Sequence, residues 1–174
     1  QPLGEHEIGR LFVQGRSVMP GYFGEPEESA RVLADGWLDT GDLGYMLDGE
    51  LVVTGRAKDL IIINGRNIWP QDPEWAVEAL PGLRRGDVAA FAVHDNEHGG
   101  EDVVVLVQAR LTDVEARDEL RRAVEAAVRE QAAIDCRVVL VPPHALPQTS
   151  SGKLSRSRAR NNYQQGHYGE PADP

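Results

Sequence analysis

The chain has 174 residues, enough to bury one good core, or one core and part of a second. A formal net charge of −10 excludes the usual binder of a nucleic-acid backbone, which carries a basic face. The single cysteine, Cys136, excludes a disulfide framework and a cysteine-based metal site and fits a reducing compartment.

No apolar run approaches the roughly 18 residues of a membrane span, and no signal-peptide pattern opens the chain, so a soluble, cytoplasmic protein is expected. The first third is rich in glycine and short apolar runs: Gly9 to Gly15, Val18 to Gly24 and Glu50 to Thr54 read as short strands punctuated by turns, with one brief helix around 26–33. From Ala57 the elements lengthen. The β-branched run 60–63 reads as a strand ending in an Asn64-Gly65 turn, and Asp72-Pro73 as a helix entry, Asp72 at the N-cap and Pro73 at the first helical position, for a helix over 72–80.

Two strands follow, 87–93 and 102–111, joined by a polar loop over 94–101. Thr112-Asp113-Val114-Glu115 reads as a capping box opening a helix to about Ala133, with Leu120, Val124, Ala127 and Val128 on its core face. A last strand covers 137–142. Strands with interspersed helices give an α+β fold, a small sheet covered by helices, preceded by a β-rich piece; residues 161–174 are expected to form a flexible tail.

Chemistry concentrates in the run Leu146-Pro147-Gln148-Thr149-Ser150-Ser151-Gly152-Lys153-Leu154. A lysine beside glycine and hydroxyl residues suits anion handling: the backbone can approach a ligand closely and the ammonium can neutralise charge developing on phosphate oxygens. It is not the phosphate-binding loop of NTPases, which needs a glycine where this chain has Pro147 and a hydroxyl where it has Leu154. Lys153, Arg156, Arg158 and Arg160 form a short basic run, either a solvated tail or a place to hold phosphate or an acidic partner. His94-Asp95-Asn96-Glu97-His98 matches an inverted zinc-peptidase pattern, but helix-breaking Asp95-Asn96 and Gly99-Gly100 make it a loop between strands, and no metal site is expected.

Two further blocks precede this loop: Gly36-Trp37-Leu38-Asp39-Thr40-Gly41-Asp42-Leu43-Gly44-Tyr45, and the stretch from Gly49 through Gly55-Arg56-Ala57-Lys58-Asp59 to Asn64-Gly65. With Lys153, in this order, they resemble the adenylate-forming enzymes: acyl-CoA synthetases, luciferases, peptide-synthetase adenylation domains and fatty acyl-AMP ligases. The stretch Gly65-Arg66-Asn67-Ile68-Trp69-Pro70-Gln71-Asp72 is most similar to the fatty acyl-AMP ligases. The resemblance implies a C-terminal fragment of a longer enzyme, with residues 1–56 the end of a large N-terminal domain and residues 57–160 a mobile C-terminal domain.

It also implies roles. Lys153 would stabilise the adenylation transition state; Asp42, expected at a tight turn, and Arg56 would bind the ribose of ATP; Lys58 would be the hinge; Gly65 would line the acceptor channel, with Trp69 lining it too or bracing the next helix. ATP with Mg²⁺ would be the cofactors, a fatty acid the substrate, and an acyl carrier protein or CoA the acceptor. The implied function is a fatty acid ligase acting through acyl-adenylate, inactive as an isolated piece. The alternatives are a fatty-acid–CoA ligase and a non-catalytic module that docks a carrier protein.

Overall fold

The computed structural model describes residues 2–94 and 101–168. The chain divides into two compact units, parting between Lys58 and Asp59.

Unit 1 is a four-stranded antiparallel sheet. Strands β1 (Gly9–Val13), β2 (Leu33–Ala34) and β4 (Glu50–Arg56) all pair with the long β3 (Trp37–Leu47), and helix α1 (Pro26–Val32) sits between β1 and β2 in the chain. The expected strand over 18–24 is absent; this segment forms turns, with one isolated bridge between Tyr22 and Glu25. Gly21 and Gly24, both at positive φ, break the extended run there. Conversely, all of the block 36–45 but Gly36 lies in one continuous strand, with a bulge where Thr40 to Asp42 of β3 face the single residue Leu11 between Arg10 and Phe12. Asp48 and Gly49, at φ 50° and 79°, make the two-residue turn into β4. Among residues 2–58, Gly44 is the one buried position, and it has no room for a side chain, which would strike the Val52 carbonyl at 2.5 Å.

Unit 2 is built on a three-stranded sheet in the order β7 (Val88–His94), β8 (Glu101–Gln108), β9 (Arg137–Val141), with β7 antiparallel and β9 parallel to the central β8. The run Val103 to Val107 is apolar throughout because both faces of β8 are covered. On one face Val88, Ala90, Val103, Val105 and Val107 pack against α2 (Gln71–Glu78), α3 (Val114–Ala132) and the hairpin β5 (Ile61–Ile63)–β6 (Arg66–Ile68). On the other, Ala89, Phe91, Val104 and Leu106 pack against Leu146 and Leu154 and against Ala159 of the final helix α4 (Arg156–Gln164).

Three expectations are corrected. Helix α2 begins at Gln71 behind Pro70, with no side-chain cap, and Pro73 takes its third position, where a missing N–H is still harmless. The N-cap of α3 is Asp113, not Thr112: the Asp113 carboxylate accepts from the Ala116 N–H at 2.8 Å. The flexible tail does not begin at Asn161, because α4 runs to Gln164 and Tyr163 meets Phe91 edge-on at 5.9 Å, with Tyr168 packed beside it.

Candidate functional site

In unit 1, Asp42 and Arg56 are direct cross-strand partners at the end of the β3–β4 ladder. Arg56 Nε lies 3.1 Å from Asp42 Oδ1. Asp42 therefore occupies a bulged strand and not a tight turn, and the bulge is held by side chains: Thr40 Oγ1 donates to the Leu11 carbonyl and accepts from the Asp42 N–H. Beside it, slight desolvation raises the Asp39 carboxyl, but the Gly41 N–H and the Arg10 guanidinium outweigh it and hold Asp39 below the usual carboxylate range. A carboxylate offers about four lone-pair sites, so Asp42 keeps acceptor capacity for vicinal hydroxyls beyond what Arg56 uses.

In unit 2, Lys153 ends a tight hairpin. Gly152 N–H donates to the Thr149 carbonyl and Thr149 N–H to the Lys153 carbonyl, a type I turn closed by Gly152 at φ 76°. The Thr149 hydroxyl lies 3.2 Å from the Lys153 N–H, and the Arg158 guanidinium donates to the Gln148 carbonyl at 3.0 Å. Lys153 is exposed, and among the described residues no carboxylate lies within ion-pair distance of its ammonium.

The basic run seen in the sequence is thus not one uniform patch. Arg156 turns inward to Glu74 of α2, with Nε 2.7 Å from Oε1 and Nη2 2.5 Å from Oε2, and Nη1 lies 3.7 Å from Asp59. Burial pushes the Glu74 carboxyl up, against the opposing pull of Arg156 and the Ala90 N–H. Neither Glu74 nor Asp59 was a candidate from sequence. Their partner lies far along the chain, and the one available sign was a glutamate on the apolar side of a short helix.

Gly65 follows Asn64 at φ 72°, with Asn64 at φ 49°, in the two-residue turn joining β5 and β6. A side chain on Gly65 would meet nothing within 4 Å in this structure, so the turn's backbone is what demands glycine here. Trp69 is half-buried, and its carbonyl accepts from the Asp72 N–H at 3.0 Å at the start of α2. Lys58 is exposed in a single 3₁₀ turn, Ala57–Asp59. Because β5–β6 and α4 lie on opposite faces of the sheet, the structure does not bring Gly65 and Lys153 together. The histidine–glutamate–histidine motif lies, apart from His94, outside the described residues. Among the described residues no three histidine, cysteine or acidic side chains converge to hold a metal, and no helix is long and apolar enough to cross a membrane.

No protein-family model matches the chain. It is 57% identical over 172 residues to a Caulobacter vibrioides protein provisionally named an acyl-CoA synthetase, covering 98% of this chain and 30% of that protein. It is 34% identical over 206 residues to the long-chain-fatty-acid–AMP ligase FadD32 of Mycolicibacterium smegmatis, covering 94% and 32%. A solved structure from a study of fatty acyl-adenylate ligases of E. coli and L. pneumophila superposes with a TM-score of 0.84 at 43% identity, covering 96% of this chain and 29% of that one. The chain thus spans less than a third of each of these proteins. With sequence and fold agreeing over nearly all of its length, this chain belongs to the adenylate-forming enzymes, among their fatty acyl-AMP ligases and acyl-CoA synthetases.

Proposed function

We propose that this chain is the C-terminal part of an ATP-dependent fatty acid ligase that forms an acyl-adenylate and passes the acyl group to an acyl carrier protein. The observation that carries the reading is the Lys153 hairpin, an exposed ammonium on a backbone fixed by its own hydrogen bonds. In adenylation a carboxylate oxygen attacks the α-phosphorus of ATP, the bond to the bridging oxygen breaks, and pyrophosphate leaves with the electron pair. Lys153 meets the charge that builds on those oxygens and orients the carboxylate, an effect of placement and electrostatics. Asp42, steadied by Arg56, accepts from the ribose hydroxyls. Mg²⁺ accompanies ATP in such chemistry, but the described residues offer it no ligand cluster.

Transfer then requires a thiol to attack the adenylate carbonyl and expel AMP. The placement of Gly65 and Lys153 on opposite faces of one sheet supports a division of labour in which residues 57–160 turn about Lys58 to exchange one face for the other. The test is made in the longer protein: Lys153→Ala slows fatty-acid-dependent pyrophosphate release about 100- to 1,000-fold, as loss of one such donor does. Transfer from supplied acyl-adenylate continues. Equal loss of both steps contradicts the division, and no acid-dependent release at all contradicts the ligase reading in favour of a non-catalytic docking module. The 57% identical relative named an acyl-CoA synthetase favours CoA as a second candidate acceptor. Supplying CoA and phosphopantetheinylated carrier protein separately decides between them.

A further inference from the structure

Arg156 stands three positions after Lys153, at the first position of α4, yet its guanidinium does not share the solvent that Lys153 faces. It reaches the carboxylate of Glu74, which is 4% exposed and whose Oε1 also accepts from the Ala90 N–H at 2.9 Å. Strand β7 is an edge of the sheet, with α2 packed on one face and α4 on the other. Glu74 therefore caps a free N–H on that edge, and Arg156 joins the two helices past it. The third nitrogen faces Asp59, the first residue of unit 2.

Stability alone is a poor explanation for such a group. A buried ion pair is often no more stabilising than apolar side chains of the same volume, whereas its two-oxygen geometry fixes orientation in a way that apolar packing does not. What this clasp orients is the first turn of α4, and the chain between that turn and Lys153 is only Leu154, packed in the core, and Ser155, whose N–H donates to the Pro147 carbonyl at 2.9 Å.

We infer that Arg156 is a positioning residue for Lys153: the Glu74–Arg156–Asp59 clasp locks the lysine hairpin to α2 and to the segment just past the unit boundary, so that the three move as one body. The inference rests on the adenylation role proposed for Lys153. Lysine cannot replace Arg156, because a single ammonium cannot engage both Glu74 oxygens in parallel while facing Asp59.

The experiment compares Lys153→Ala, Arg156→Lys, Glu74→Gln and the double variant Lys153→Ala/Arg156→Lys in the longer protein. It reads ATP–pyrophosphate exchange, acyl transfer from supplied acyl-adenylate, and melting temperature. Arg156→Lys and Glu74→Gln are expected to lower kcat for exchange on the order of 10- to 100-fold, as a misplaced catalytic group does. KM for ATP and the transfer step stay unchanged, and the double variant exchanges no more slowly than Lys153→Ala alone. Additive loss in the double variant, unchanged exchange in the single ones, or equal loss of both steps with a lowered melting temperature overturns the inference. If Lys153→Ala itself leaves exchange intact, the adenylation reading is what has failed, and the inference falls with it. Should Arg156→Lys not fold, Asp59→Asn removes only the outer partner, and it too must slow exchange while sparing transfer.

Discussion

Cys136 follows the end of α3, and burial, reinforced by Glu125 and Asp135, pushes its thiol up to about 11. The native state then holds this proton at a pH where the unfolded chain, with its ordinary value of 9.0, has released it. Where the native state binds more protons, stability falls as pH rises. The thiol's contribution is therefore whole below about 9 and lost on the way to about 11. Urea melts of the chain and of Cys136→Ala across this window should show the stability gap narrowing as pH rises; a constant gap would remove the claim. Alkylation near neutral pH should likewise be slow, since the thiolate is the nucleophile. At this scale the sequence exposed residue types well and partnerships poorly. Asp42 and Lys153 stand out as candidates through their neighbours, whereas Glu74 and Arg156 are 82 positions apart, a separation that no local pattern encodes.

Among the elements, the hairpin β5–β6 depends on its turn. At φ 72°, Gly65→Ala places a side chain in the left-handed region, at a cost of roughly 1–2 kcal/mol, although open space surrounds it. A lowered melting temperature with adenylation unchanged is expected, and an unchanged melt would mean that the turn relaxes. The same hairpin caps a helix. Ala133 ends α3 in the left-handed conformation without being glycine, and Arg66 on β6 donates to the Ala132 and Ala133 carbonyls at 3.0 and 3.3 Å. Arg66→Met should therefore destabilise the α3 terminus by about 1 kcal/mol, seen as faster amide exchange at residues 129–133.

Element types were readable where period and length agreed, as in α3 and β8, and boundaries failed where two chemistries competed. Thr112 and Asp113 are both good caps, and the backbone chose the one whose carboxylate reaches Ala116. Strand β3 hid behind aspartates and glycines of low strand propensity.

For the whole molecule, burial predicts unequal self-sufficiency. Residues 59–168 contain two core clusters on one sheet, whereas residues 2–58 bury only Gly44 and leave Phe12, Phe23 and Trp37 exposed. Made separately, residues 59–168 should unfold in one cooperative thermal step and residues 2–58 should show none; the reverse result would refute this reading of the cores. The two-faced sheet of unit 2 has a kinetic corollary. Loops anchored on opposite faces of a rigid layer cannot trade places by side-chain motion, so under the proposed cycle the exchange of lysine for acceptor turn is a rotation of the entire body against solvent drag. Overall turnover should then slow as glycerol thickens the medium, while single-turnover adenylation, already in position, should not feel the friction.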